Sequence, residues 1–402
     1  MKKLTLFSIF LAAVVIILGA YTRLTDAGLG CPDWPGCYGN LTVPLSEEKV
    51  AQANAAYPER PVEAFKAWNE MIHRYFAGTL GLCVLAIAII AVRQRHKGTP
   101  VKLPLLLLGL IIFQAALGMW TVTLNLLPVV VMGHLLGGFS VLSCLFVLYL
   151  RLRNRTYEAY HLGLNDVPIE KAASDTSQKA NSFQSSLKLA AFIGAGVLIT
   201  QIALGGWTSA NYAALACTEM PVCESGWQDR IDIPGAFSVP DAQNYEFGAH
   251  DYGERVTMHI VHRLGALITF VYLLALGISV LVSRYATSKQ KYVSAFMILA
   301  LFTQVALGIS NVVFMLPLAV AVLHNAVAAI LLLSLINLIF TLVTRTQHTR
   351  ALNSDRQNSH ALSGSRPLHS ACAFRTDAST PNAIAGSTSS HILPRAPGGF
   401  YG

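Results

Sequence analysis

Eight apolar stretches, spread along 402 residues, constrain this chain more than any other feature. They run approximately over 4–22, 70–92, 103–123, 127–150, 187–208, 255–282, 292–313 and 317–343. A hydrocarbon core is crossed by about 20 helical residues, and each stretch comes close to or exceeds that length. Inside lipid every backbone N–H and C=O must be satisfied within the segment, so such stretches become helices. The expectation is an all-α integral membrane protein with eight transmembrane helices. Charged residues make up only 12% of the chain, against roughly 25% in soluble domains. The net charge of +8 does not point to nucleic acid, because the basic residues cluster in short loops between apolar spans.

Those loops set the orientation. Lys2, Lys3, Arg93, Arg95, Lys97, Lys102, Arg151, Arg153, Arg155, Arg284, Lys289, Lys291, Arg345 and Arg350 all fall on one side. The positive-inside rule makes that side cytoplasmic, with both termini on it, and turns loops 23–69 and 209–254 outward. The first stretch follows Met1-Lys2-Lys3 and has the look of a signal peptide. Its end, Gly19-Ala20-Tyr21-Thr22, nevertheless matches Gly205-Gly206-Trp207-Thr208 at the end of the fifth. A segment with an internal counterpart is read as a retained helix. The absence of an Arg- and Ser-rich transit peptide favours a bacterial plasma membrane over a mitochondrial one.

The match at the helix ends belongs to a repeat. Phe113-Gln114-Ala115-Ala116-Leu117-Gly118 pairs with Thr303-Gln304-Val305-Ala306-Leu307-Gly308, and Leu127-Pro128 pairs with Leu316-Pro317. With four crossings in each unit, both copies enter the membrane from the same side, which predicts a pseudo-two-fold axis along the membrane normal. The organisation expected is an amino-terminal four-helix bundle over 1–151, a cytoplasmic linker over 152–186, and a carboxy-terminal four-helix bundle over 187–345. Residues 346–402 are rich in Ser, Ala, Asn, Pro and Gly without apolar periodicity and read as a disordered cytoplasmic tail.

Each half carries two histidines in apolar surroundings. His73 and His134 are 61 residues apart, and His262 and His324 are 62 apart. A polar side chain at membrane depth is costly and is retained for a partner or a function. A lone intramembrane histidine usually hydrogen-bonds a neighbouring helix, but four at repeated positions point to axial ligands of two haems, held between facing helices. Proton relay is the competing reading. Zinc is disfavoured because neither half clusters three or four ligands. His259 shares a face with His262. The alignment of His73-Arg74 with His262-Arg263 selects His262. Arg74 and Arg263 are placed to reach haem propionates, or simply to snorkel to the interface.

Cys31 and Cys37 bracket five residues, as do Cys217 and Cys223, and both pairs lie on the outward side. An oxidising compartment there favours one disulfide in each loop, with reduced or redox-active thiols as the alternative. Cys83 and Cys144 sit inside helices and read as packing residues.

Three runs carry a family likeness. Gly19-Ala20-Tyr21-Thr22-Arg23-Leu24-Thr25, Gly28-Leu29-Gly30-Cys31-Pro32-Asp33-Trp34-Pro35-Gly36-Cys37 and Glu70-Met71-Ile72-His73-Arg74 together resemble the haem A synthase family, over roughly residues 1–345. The resemblance implies oxidation of the C8 methyl group of haem O to a formyl group, giving haem A for terminal oxidases. It implies that His73 and His134 line the substrate site, that His262 and His324 hold a resident haem b, and that Cys31 and Cys37 form the outer-loop disulfide. Glu70 becomes the acidic residue near the substrate methyl, and His259 occupies its place in the second half. The enzyme that makes haem O is the natural partner for its delivery. Neither the electron acceptor nor association into a homo-oligomer is identified by the sequence. The competing function is a two-haem b-type cytochrome that transfers electrons without converting its haem. The tail has no place in the family pattern, and the long aromatic second outer loop is open to a role as a lid or a partner surface.

Overall fold

The computed structural model describes the backbone of residues 1–161 and 174–363, and the side chains of 1–154 (Lys97 aside) and 183–344. Much of the expected linker 152–186 and all of the expected tail 346–402 therefore lie outside the residues described with side chains. The helices are α1 (Lys2–Leu24), α2 (Glu47–Ala56), α3 (Ala64–Arg93), α4 (Lys102–Thr123), α5 (Pro128–His161), α6 (Ser174–Ala210), α7 (Ile233–Ala236), α8 (Tyr252–Val282), α9 (Ser288–Val313) and α10 (Leu318–Ser363). All but α2 and α7 are long and apolar enough to span a membrane, which gives the eight spans expected. Among the described residues there is no strand beyond a single bridge between Cys37 and Asn40.

The repeat is visible in how the helices stop and restart. After α1 the chain turns at Asp26 with φ +50°, and after α6 it turns at Tyr212 with φ +53°. Asn125 and Leu126 lead into α5 with φ of +48° and +62°, and Met315 and Leu316 lead into α10 with +56° and +62°. A left-handed backbone is unfavourable for residues such as leucine. Its recurrence at matched places marks a turn that the packing imposes, reinforced by a proline just beyond. Where the turns differ, side chains close the helix start: α8 opens on a capping box from Asp251 and Glu254, and α9 on one from Thr287 and Gln290.

In the first half α1 and α4 each pack against α3 and α5, closing a four-helix ring. In the second half α6 packs on α8, and α8 on α9. The Gln290 amide reaches Thr341 O at 3.5 Å to bring α10 alongside. The halves meet along α5 and α6. A single core cluster runs through both, with Val84, Leu145, Leu273 and Leu335 each fully buried in it. Large apolar side chains such as Leu82, Ile112 and Leu267 point outward. They face what would be acyl chains, which are as apolar as leucine, so close packing and polar contacts rather than hydrophobicity hold such helices together.

The outer loops cross between halves. Arg23 donates to Ser209 O at 2.7 Å and stacks 3.9 Å above the Tyr212 ring, whose hydroxyl donates to Asp26 at 2.8 Å. Burial is the largest influence on that phenol and raises its pKa against the opposing pull of Arg23, so Tyr212 stays a donor. Asn125 accepts from Arg60 at 2.6 Å and donates to Gln243 O at 2.8 Å. Tyr245, buried with Leu29 and Leu126, plants the second outer loop on the first half. That loop is a shared cover, a role its aromatic composition did not specify.

Candidate haem centres

His73 projects from α3 toward α5, where His134 meets it with ring centroids 6.4 Å apart. The helix α3 begins at Ala64, six residues before the apolar stretch at 70. His73 thus lies about 14 Å along its helix, whereas His134 lies about 9 Å along α5. The two rings still meet, because α3 starts about a turn further out than α5. His262 of α8 and His324 of α10 lie within electrostatic reach of each other in the same way.

Each of the four rings rests against a glycine on the adjacent helix. A methyl-sized Cβ on Gly19 would lie 3.0 Å from His73 Cε1, and one on Gly118 3.3 Å from His134 Cε1. On Gly205 it would lie 2.9 Å from His262 Cε1, and on Gly308 3.2 Å from His324 Cε1. Any larger residue would push the ring out of place. Sequence reading paired the runs containing these glycines but did not assign them this task.

The donor set fits haem iron. The Nδ1 atoms of His73, His134 and His324 are buried and make no full hydrogen bond. Buried polar nitrogens left without a partner are the mark of a site that takes a further group, and imidazole is the common axial ligand of haem iron. Two buried imidazoles per half suit a planar iron macrocycle.

Above the first pair sits the loop closed by the Cys31–Cys37 disulfide, with Cα atoms 4.8 Å apart. Its backbone comes so close to α3 that a Cβ on Gly30 would lie 2.7 Å from Ala67 N. Glu70 is 5% exposed, and its Oε2 accepts from Cys31 N at 2.9 Å. Its other oxygen pairs with Arg74. Arg74 in turn donates to Asp33 O at 3.0 Å, Pro35 O at 3.3 Å and Gly36 O. Glu70 is the seventh residue of its helix, beyond the first turn where the dipole favours a carboxylate. Its partners are therefore the loop and Arg74, not the helix end.

The second half repeats the plan with different chemistry. Cys217 and Cys223 are bonded. Arg263 donates to Glu219 O at 2.8 Å, Val222 O at 3.1 Å and Cys217 O at 2.9 Å. Each arginine is thus engaged with loop carbonyls, a task that reading them as propionate partners or snorkelling cations did not include. Where the first half has Glu70, His259 is 4% exposed and its Nδ1 lies 2.9 Å from Ala213 O. Thr218 donates from its amide and hydroxyl to Glu224, holding that carboxyl down from 4.5 to about 2. This fastening is complete above about pH 4.5 and is lost as the pH falls through about 2. Glu224 lies beside Cys217 and Cys223, but the disulfide leaves no thiolate there for a metal. Cys83 and Cys144 are free and half-buried.

Alkylation of freshly prepared membranes without reductant should therefore label Cys83 and Cys144 after denaturation, and leave both loop pairs protected. A disulfide closing so short a loop contributes about 2–3 kcal/mol in the chain-entropy view. Free thiols at both loop pairs would refute the assignment.

Comparison with known proteins supplies the family. A family model described as COX15-CtaA, cytochrome oxidase assembly protein, matches residues 2–336. The chain is 48% identical over 338 residues to a protein named heme A synthase from Shewanella oneidensis, covering 84% of this chain and 94% of that one. It is 26% identical over 332 residues to the heme A synthase of Bacillus licheniformis, covering 81% and 90%. It is 27% identical over 345 residues to that of a Caulobacter species, covering 80% and 90%. A match over most of the length, on a chain whose eight spans carry two histidine pairs, identifies it as a member of the COX15-CtaA family of cytochrome oxidase assembly proteins.

Proposed function

We propose that this protein is a haem A synthase, an oxidoreductase that converts the C8 methyl group of haem O into the formyl group of haem A. The observation that carries the reading is a break in an otherwise matched pair of sites. Both halves present two glycine-backed histidines beneath a disulfide loop tied down by an arginine. Only the first places a carboxylate three residues before its histidine, and the second has His259 there. One half is equipped to act on its haem and the other to hold one.

In this reading His73 and His134 bind the substrate haem O within 1–151, and His262 and His324 hold a resident haem b within 187–345. Haem b supplies one-electron redox chemistry when bound. Turning a methyl into a formyl group with oxygen from water releases four electrons and four protons. Glu70 is the buried group of the first half able to take up a proton near the substrate edge. The disulfide loop above it, closed by Arg74, keeps bulk water from that edge. The basic loops place both termini in the cytoplasm and the two haem sites toward the outer face of a bacterial plasma membrane. Haem O then arrives from the enzyme that makes it, and the electrons leave to an acceptor.

The test is the haem content of the purified protein, by mass and pyridine haemochrome spectrum. Haem B accompanied by haem O, its hydroxylated form or haem A is the expected result. Haem B alone at two per chain would make the protein an electron-carrying cytochrome instead.

A further inference from the structure

Superposing the halves on their glycine–histidine contacts sets Gly19 against Gly205, an offset of 186 residues. One turn earlier on the same helices, that offset sets Val15 against Gln201. At His73, His134 and His324 no hydrogen-bond partner meets Nδ1, even though the Gln114 amide donates to His134 O at 2.8 Å. At His262 a side chain does: the Gln201 amide nitrogen lies 2.9 Å from Nδ1 and donates to His262 O at 3.0 Å. Its Oε1 is buried without a hydrogen-bond partner, directed at the Cα of Gly265. Gln304 is no counterpart, because its amide nitrogen lies 3.2 Å from Nε2 of His324, the nitrogen that would face iron.

The amide can address His262 in two ways. With its N–H toward Nδ1, it favours the imidazole tautomer protonated at Nε2, which cannot bind a metal. A half-turn brings Oε1 to the same place, where it accepts from Nδ1–H and leaves the Nε2 lone pair for iron. In that turn Oε1 gains a donor while the amide nitrogen gives up its bond to His262 O, and Gly265 offers no side chain to obstruct the movement. An outer-shell partner of this kind fixes the ring and raises its basicity, and losing one typically costs about 10–100-fold in metal affinity.

We propose that Gln201 is a positioning residue for His262, and that this one side-chain hydrogen bond, absent where Val15 stands in the first half, makes the second haem site retentive and leaves the first exchangeable. The proposal rests on the assignment of the resident haem to His262 and His324. A site that must release its product gains from lacking such a bond.

The experiment compares purified full-length Gln201→Val and Gln201→Glu with the parent, reading haem B retained through purification, its transfer rate to an apo-globin trap, and its midpoint potential. Gln201→Val should release haem B at least tenfold faster and raise its potential. Gln201→Glu, which accepts only, should hold haem B and lower the potential. Parent-like release and potential in a well-inserted Gln201→Val, or loss of haem from both variants alike, would overturn the proposal. His262→Ala and His73→Ala serve as controls. If His73→Ala rather than His262→Ala loses the retained haem, the assignment of the halves has failed, whatever Gln201 does.

Discussion

Replacing His262 or His324 by alanine is expected to strip the resident haem b and its low-spin spectrum from the purified protein. Replacing His73 or His134 should leave that spectrum largely in place while abolishing haem A. In the proposed reading each imidazole is one of two axial ligands in its half, and its ring is seated by a glycine on the neighbouring helix. Alanine removes the ligand and leaves the pocket, so the neighbouring helices lose a bridge rather than suffer a clash. A second readout follows from linkage. A group that binds only the folded chain, present at 100 times its Kd, stabilises it by about 2.7 kcal/mol. The His262 and His324 variants should accordingly unfold at lower temperature than the His73 and His134 variants, which keep the bound group. If all four lose the same haem to the same extent, the two-site reading is wrong.

The features legible in the sequence were those that lipid enforces. Apolar length gave the eight spans, and buried polarity at repeated positions gave the four histidines, because membranes punish exceptions to both. The start of α3 was placed too late. Ala64 to Asn69 continues the helix outward with Lys66 and Asn69 among its residues, and a hydropathy reading stops where charge and amide appear. Arg74 and Arg263 were read as haem-propionate partners or snorkelling cations, whereas their guanidinium groups hold loop carbonyls more than 35 residues away in sequence. Contacts of that range leave no periodic signature. The reach of Tyr245 over the first half is hidden for the same reason, and so is the meeting of Gln201 with His262 across 61 residues. The four glycines were visible as letters in matched runs. Their purpose emerges only when the adjacent helix brings an imidazole against each.

Glu70→Gln should lower haem A formation by at least tenfold, with haem O or its hydroxylated form accumulating and the resident haem unchanged. Removing a general base typically costs about 10²–10⁴-fold in rate. The structure adds a second consequence. Glutamine can still accept from Cys31 N, but its amide nitrogen can then no longer pair with Arg74. That guanidinium is only 12% exposed, and breaking one side of a buried ion pair costs about 3–5 kcal/mol. Part of any loss could therefore come from a loosened disulfide loop, and Arg74→Met isolates that part. It removes the hold on Asp33 and Pro35 while leaving the Glu70 carboxylate and its bond from Cys31. Limited proteolysis of the outer loop reports loosening in both variants. If Glu70 acts on protons at the substrate, Glu70→Gln loses far more product than Arg74→Met at equal loop sensitivity. Equal losses in the two variants would make Glu70 a loop anchor, and near-normal haem A from Glu70→Gln would remove it from the chemistry altogether.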